Sequence, residues 1–316
     1  MNAFAFVFPG QGSQSVGMLD AWGDDPVVAS TLQEASDALG EDVARLVREG
    51  PKEALALTTN TQPVMLVAGV AAYRVWMDRV GVAPQAVAGH SLGEYSALVA
   101  AGALPLSQAV PLVRLRAQAM QDAVPVGAGA MAAILGLEAA KVAALCAEVT
   151  AGQPPGDVVE AVNFNDPAQT VIAGSKAAVE RACEVLKAHG ARRALPLPVS
   201  APFHSSLMRP AAEKLRAALA VVDLKAPSIP LVNNIDVAVE SDVVRIKDAL
   251  YRQAFGPVRW VECVQALKAR GLQTVIECGP GKVLSGMVPR IDAALAGLPV
   301  FDPATLDAAR AALEGV

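Results

Sequence analysis

The chain has 316 residues, enough for one large α/β domain with an insertion or for two ordinary domains, and a 53% hydrophobic share supplies a sizeable core. Its 26 basic against 31 acidic residues leave a net charge of −5, which argues against a general nucleic-acid binder, and an aromatic content of 4% argues against a platform for stacking bases or sugars. Every apolar run approaching 18 residues is broken by a charge or a helix breaker, so no membrane span is expected.

In chain order, Phe4–Phe8 reads as a short buried strand stopped by Pro9-Gly10. The apolar start lacks a basic stretch and ends too soon for a signal sequence, so the cytoplasm is the expected compartment. A polar, glycine-bearing loop over 11–15 follows. Helices are expected over 27–39 and 41–47, then a polar turn over 58–61, then a long alanine-rich helix opened by Pro63 and running to about Val80. Ala86–Gly89 reads as a strand that turns sharply at His90-Ser91 into a helix over 92–101. Gly102 caps that helix, and another runs from Ser107 to Met120.

The pattern changes near Gly127. A strand over 130–135, a helix over 138–149, strands over 158–163 and 170–173 about an Asn165-Asp166-Pro167 turn, a helix over 177–189 and a strand over 193–197 give the order βαββαβ. Residues 127–197 therefore read as a small subdomain inserted into a larger domain made of 1–126 and 198–316. The larger domain resumes with helices over 210–221, 242–254 and 260–270, a strand end over 230–234, and a strand over 274–277 closed by Gly279-Pro280-Gly281. Alternating strands and helices predict an α/β fold with a mostly parallel sheet covered on both faces. The tail after Leu298 carries no motif.

The chemistry concentrates at Gly89-His90-Ser91-Leu92-Gly93, a G-x-S-x-G sequence between an expected strand and helix. Such a turn lifts a serine hydroxyl out of the sheet at a helix N-terminus, where N–H groups favour developing negative charge. A nucleophilic serine needs a base, and there are three histidines. His90 is the neighbour of Ser91 and on such a turn points away from its hydroxyl, which suits a pocket wall. His189 reads as a solvated helix end. His204 lies in a proline-containing loop just before a helix and is favoured by elimination. The N–H of Leu92 is one expected oxyanion donor, and Gln11, in the loop after the first strand, is the candidate for the other. Gly10-x-Gly12 lacks the rest of a dinucleotide fingerprint, and Gly279-Pro280-Gly281-Lys282 lacks the rest of a P-loop. Four scattered cysteines and three histidines show no metal-ligand spacing and read as reduced thiols and isolated rings.

Phe8-Pro-Gly-Gln-Gly-Ser-Gln14, Thr61-Gln-Pro63, Gly89-His-Ser-Leu-Gly-Glu94, Gly129-Ala-Met-Ala-Ala133, Val162-Asn-Phe-Asn165, Ala201-Pro-Phe-His204, Val232-Asn-Asn234 and Glu277-Cys-Gly-Pro-Gly281 together resemble the bacterial malonyl-CoA:acyl carrier protein transacylases of fatty acid synthesis, over essentially the whole chain. The resemblance implies an α/β-hydrolase-like large domain and a ferredoxin-like small one, with the site in the cleft between them. It implies Ser91 as nucleophile, His204 as base, Gln11 and Leu92 as oxyanion donors, and a backbone carbonyl near Gln253 orienting His204. It also implies that Arg116 binds the free carboxylate of the malonyl group, with Gln62, Asn163 and His90 lining the pocket. Leu92 and Phe203 resemble a malonyl-selecting pattern, in which bulk crowds an α-methyl group. The partners implied are malonyl-CoA and a holo-acyl carrier protein, with a coenzyme A thioester as substrate; no bound cofactor or metal is expected, and a monomer is taken as the default because the sequence does not give the oligomeric state. Lys187, Arg192, Arg193, Arg209 and Lys282 are candidates for carrier docking. Rival readings are a trans-acting acyltransferase of a polyketide synthase, a serine esterase or thioesterase, and a silent carrier-binding subunit.

Overall fold

The computed structural model describes residues 2–315. Among these residues nine strands form two sheets: β1 (Phe4–Phe8), β2 (Ala86–Gly89), β3 (Gly129–Leu135), β4 (Val159–Asp166), β5 (Gln169–Ser175), β6 (Arg193–Pro196), β7 (Leu231–Val232), β8 (Thr274–Cys278) and β9 (Ala296–Val300). The five-stranded sheet has the order β7-β2-β1-β8-β9, with every neighbouring pair parallel.

The central strand shows why this sheet is buried on both faces. All five residues of Phe4–Phe8 are buried. Phe4, Phe6 and Phe8 face one core, where Phe6 meets Trp76 edge-on with centroids 5.3 Å apart. That tryptophan belongs to the long helix Thr58–Arg79. Ala5 and Val7 face a second core with Trp260, Val264 and Leu267 of the helix Trp260–Ala269. Alternation along one strand thus joins two apolar layers, as a covered parallel sheet requires.

The four-stranded sheet is antiparallel with the order β4-β5-β3-β6. Its connections run β3, helix Ala139–Ala151, β4, β5, helix Lys176–Ala188, β6, which is the ferredoxin-like arrangement. One face packs on those two helices through Ile134, Val142, Ile172 and Leu186. The other face, with Met131, Val162 and Val171, joins the main core. A short parallel bridge ties the two sheets' surroundings together. Phe164 N–H donates to Val258 O at 3.0 Å and Val258 N–H to Val162 O at 2.8 Å.

Three differences from the sequence reading have physical causes. Residues 58–61 are not a separate turn but the start of the helix Thr58–Arg79, with Pro63 inside it. The polar side chains that suggested a turn serve the helix start instead: Thr61 Oγ1 donates to Leu55 O and Leu57 O, and Asn60 Nδ2 to Ala54 O. Strand β4 continues through Asn165 to Asp166, with register shifts at 161–163 and 164–166. Beyond Glu277 the chain adds the helix Val283–Ile291, the edge strand β9 and the helix Pro303–Glu314, the last opened by a capping box between Asp302 and Thr305. Other boundaries shift by a residue or a few.

Candidate active site

Strand β2 ends at Gly89, and the helix Gly93–Ala100 begins four residues later. Ser91 takes φ +53°, a left-handed conformation costly for a residue with a β-carbon. The two flanking glycines make the turn possible by close approach. A β-carbon on Gly89 would lie 1.9 Å from the Gly93 carbonyl carbon, and one on Gly93 would lie 2.0 Å from Phe8 O. Asn234, just after β7, holds the turn from below: Ser91 N–H donates to Asn234 Oδ1 at 2.7 Å, and Asn234 Nδ2 donates to Gly89 O at 2.7 Å.

Ser91 Oγ lies 2.7 Å from His204 Nε2. His204 Nδ1 lies 2.8 Å from Gln253 O. A carbonyl oxygen only accepts, so Nδ1 carries the proton and Nε2 is left free to take one from the serine. Burial, reinforced by the positive charge of Arg116, pushes the His204 pKa down to about 3, so the ring is neutral at physiological pH. His204 also has a positive φ, +66°. Ser91 and His204 are thus both held in sparsely populated backbone conformations.

Arg116, on the helix Leu106–Asp122, is 2% exposed. Its Nη1 donates to Gln62 Oε1 at 2.5 Å, and its Nη2 to Gln253 Oε1 at 3.1 Å and Ser91 Oγ at 3.2 Å. Nε has no partner, and the guanidinium lies over the Tyr95 ring, 5.5 Å from its centroid. No carboxylate of the described residues forms a salt bridge with it, although Arg114, two residues away, is paired with Glu41 at the surface. A buried cation with neutral partners only is a strong site for an anionic ligand.

A polar chain runs from Arg116 to the loop after β1. Gln62 Nε2 donates to Thr58 Oγ1 at 3.0 Å, and Thr58 Oγ1 donates to Gln11 Oε1 at 2.6 Å. This fixes the side chain of Gln11 beside the elbow. No backbone carbonyl accepts from the N–H of Gln11 or of Leu92, among the described residues.

These groups surround one cavity of roughly 130 Å³. Gln11, Gln62, His90, Ser91, Arg116, Asn163, Phe203 and His204 all line it. Gln253 is fully buried behind it. The Leu92 side chain is 1% exposed and belongs to the core rather than to the cavity wall, so of the two bulk positions only Phe203 can crowd a substrate. Met120, Met131, Leu197 and Val199 complete the apolar wall.

His90 points away from the serine. Its Nε2 lies 2.8 Å from Asn165 Oδ1, and burial holds its pKa below the ordinary histidine value. His189 is at an exposed helix end, with Nδ1 near Val185 O. Among the described residues, no group of three or more His, Cys, Asp or Glu is placed to hold a metal ion.

The chain matches the acyl transferase domain family over residues 5–290. It is 52% identical to the malonyl CoA-acyl carrier protein transacylase of Escherichia coli K12 over 98% of this chain and 99% of that protein. The Bacillus subtilis 168 protein of the same name is 44% identical over 98% and 96%. The chain belongs to the malonyl CoA-acyl carrier protein transacylase family. Its structure is similar to the acyl-carrier-protein S-malonyltransferase of Burkholderia pseudomallei 1710b, with TM-score 0.94, 66% identity, and 97% and 99% of the two chains covered. It is also similar to a malonyl-transacylase solved in complex with a type II polyketide synthase acyl-carrier protein, with TM-score 0.95, 49% identity and full coverage of both chains.

Several residues around this transacylase-family site escaped the sequence reading. Asn165, Thr58, Glu94 and Asn234 each bond a candidate residue directly, and the Gln253 side chain contacts Arg116 and Ser91 in addition to its carbonyl's contact with His204. Asn165, Glu94 and Asn234 stand inside the quoted motifs, which was the available signal. Asn163 lines the cavity and Asn165, two residues further along β4, bonds His90, in a strand with register shifts at 161–163 and 164–166.

Proposed function

We propose that the chain transfers a malonyl group from malonyl-CoA to the phosphopantetheine thiol of a holo-acyl carrier protein, through a malonyl ester on Ser91. The observation that carries this reading is that one hydroxyl, Ser91 Oγ, is within reach of both a neutral histidine and a buried arginine without a carboxylate partner. The first feature suits acyl transfer and the second suits an acyl group bearing a free carboxylate.

In the first half-reaction Ser91 Oγ attacks the thioester carbonyl while its proton passes to His204 Nε2. The tetrahedral oxyanion is received by the N–H groups of Gln11 and Leu92. The carbon–sulfur bond breaks, and the coenzyme A thiolate takes the proton from His204. In the second half-reaction the carrier thiol gives its proton to His204 and attacks the ester carbonyl. Ser91 then leaves, recovering that proton. Gln253 O stabilises the imidazolium in both directions. Arg116 holds the malonyl carboxylate, Gln62 and Gln253 orient the guanidinium, and Asn163, His90 and Phe203 shape the pocket.

Fatty acid synthesis is the process we assign, as the names of the relatives support. The relative captured with a polyketide carrier gives the specific alternative, a malonyl loader for a polyketide synthase. We assign the chain to the cytoplasm as a monomer. Four unpaired cysteines support a reducing compartment, and no helix of the described residues is long and apolar enough to cross a membrane. Lys187, Arg192, Arg193, Arg209 and Lys282 are the proposed carrier-docking cations.

Single-turnover kinetics test this reading. Malonyl-CoA with holo-carrier should yield malonyl-carrier far faster than free malonate. Release of malonate at the faster rate would make the protein a hydrolase and overturn the assignment.

A further inference from the structure

Beneath the elbow lies a buried carboxylate that the mechanism above does not use. Glu94, on the helix Gly93–Ala100, is 2% exposed. Its Oε2 accepts from Asn234 N–H at 2.9 Å and from Gln253 Nε2 at 3.0 Å. Those two partners hold everything around Ser91. Asn234 grips Ser91 N–H and Gly89 O through its side chain. Gln253 donates to Ser91 O at 3.0 Å, accepts from Arg116 Nη2 on its side-chain oxygen, and accepts from His204 on its main-chain oxygen.

The side-chain amide of Gln253 has two different ends, and which end faces Arg116 decides the outcome. With the oxygen toward Arg116, Nη2 is held in place beside Ser91 Oγ. With the amide turned over, an NH₂ group would face a guanidinium, donor against donor, and the arginine would move away. Arg116, which only donates, and the Ser91 carbonyl, which only accepts, both favour the first arrangement. Glu94 is the second acceptor on that nitrogen and the charged one: ionised above about pH 7, it can only accept, and so it anchors the nitrogen end and leaves the oxygen to Arg116.

We infer that Glu94 is a positioning residue for acyl-group selection, acting through the Gln253 amide to aim Arg116 at the substrate carboxylate. This rests on the proposed role of Arg116 as the malonyl clamp. Glu94 touches neither substrate nor reacting atoms. Loss of its acceptor should therefore weaken malonyl transfer more than transfer of an acyl group that has no carboxylate.

The test is acylation of Ser91 by malonyl-CoA and by acetyl-CoA, measured as kcat/KM for each in wild type, Glu94→Leu, Glu94→Gln and Arg116→Ala, and in the double variant Glu94→Leu with Arg116→Ala. Leucine keeps the volume against Leu98, Leu231 and Ile246, which share a small cavity with Glu94. Glutamine retains an accepting oxygen. The malonyl-to-acetyl ratio should fall about tenfold in Glu94→Leu, the usual effect of losing one hydrogen bond to a charged group. It should recover in Glu94→Gln. It should be unaffected by Glu94→Leu once Arg116 is absent, because the two act as one unit. Equal losses on both thioesters, or a ratio change that persists without Arg116, would overturn the inference and leave Glu94 a scaffold residue. Should Glu94→Leu fail to fold, Gln253→Met removes the same amide while keeping the carbonyl to His204. Its ratio should fall likewise, and an unchanged ratio would overturn the relay. An unchanged ratio in Arg116→Ala alone would instead sink the clamp on which the inference rests.

Discussion

Arg116 Nη2 lies 3.2 Å from Ser91 Oγ, so the buried cation and the nucleophile share one hydrogen bond before any substrate is present. The guanidinium's other partners are the amides of Gln62 and Gln253, both neutral. An incoming carboxylate offers it a charge-assisted pair in a desolvated pocket, and the serine then turns wholly to His204. Replacing Arg116 by alanine should lower kcat/KM for malonyl-CoA by about 3 kcal/mol, a factor of roughly 100. Acetyl-CoA should lose far less. Parallel kinetics with the two thioesters check this, and equal losses would mean that Arg116 serves Ser91 rather than the acyl group.

The acid limit of the reaction should lie well below the ordinary histidine range. His204 is held neutral first by burial and then by Arg116, with its pKa pushed down to about 3. Acylation rates should therefore persist through pH 5.5, where an ordinary histidine, pKa about 6.5, is mostly protonated. Removing the Arg116 charge should move the acid limb upward. A wild-type limb near pH 6.5 in the single-turnover profile would contradict this account of the base.

The same histidine contributes to acid lability. Its folded pKa is depressed relative to the unfolded chain, so its contribution to stability is fully present above about pH 6.5 and is lost as pH falls towards 3, where the unfolded state binds the additional proton. Glu94 works in the opposite sense over an overlapping window. Burial raises its pKa to about 7, so the folded state holds the extra proton between about 4.5 and 7 and stability declines as pH rises there. Urea unfolding across pH 4 to 8 should give a flatter low-pH arm in His204→Gln and a higher plateau near pH 7 in Glu94→Gln. The absence of any change in pH slope in both variants would contradict these burial effects.

Backbone strain at the elbow gives a stability test independent of activity. With φ +53° at position 91, Ser91→Gly should be more stable than Ser91→Ala by about 1 kcal/mol, since only glycine takes that conformation without cost. Both should be inactive. Thermal melts decide it, and an alanine variant as stable as the glycine one would mean that the turn relaxes.

Phe203 is the one expected bulk position that lines the cavity. Phe203→Ser should raise acylation by methylmalonyl-CoA relative to malonyl-CoA by about tenfold, in line with the roughly 1–3 kcal/mol that a methyl-sized difference carries. An unchanged ratio would place the selecting contact elsewhere.

Much of the fold could be read directly from local pattern. The five buried residues of Phe4–Phe8, the elbow glycines and the βαββαβ order each carry a signal within a short window. The residues drawn around Ser91 were harder to read, because their partners are remote in the chain. Asn234 meets Ser91 across 143 residues and Gln253 meets Glu94 across 159, and a polar side chain in a helix looks the same whether it faces solvent or a buried network. Thr58 and Thr61 suggested a turn by composition, yet their hydroxyls are used by backbone carbonyls and by Gln11. The edge strand Ala296–Val300 lacks alternation and contains both glycine and proline, so only its pairing with β8 reveals it.

The most direct measurement is the intact mass of the protein after brief exposure to malonyl-CoA or acetyl-CoA without carrier, alongside Ser91→Ala and Arg116→Ala. The account predicts one malonyl adduct on the wild type, none on Ser91→Ala, and loss of the preference for malonyl over acetyl in Arg116→Ala. A wild type that takes no malonyl adduct, or that takes acetyl more readily, would contradict it.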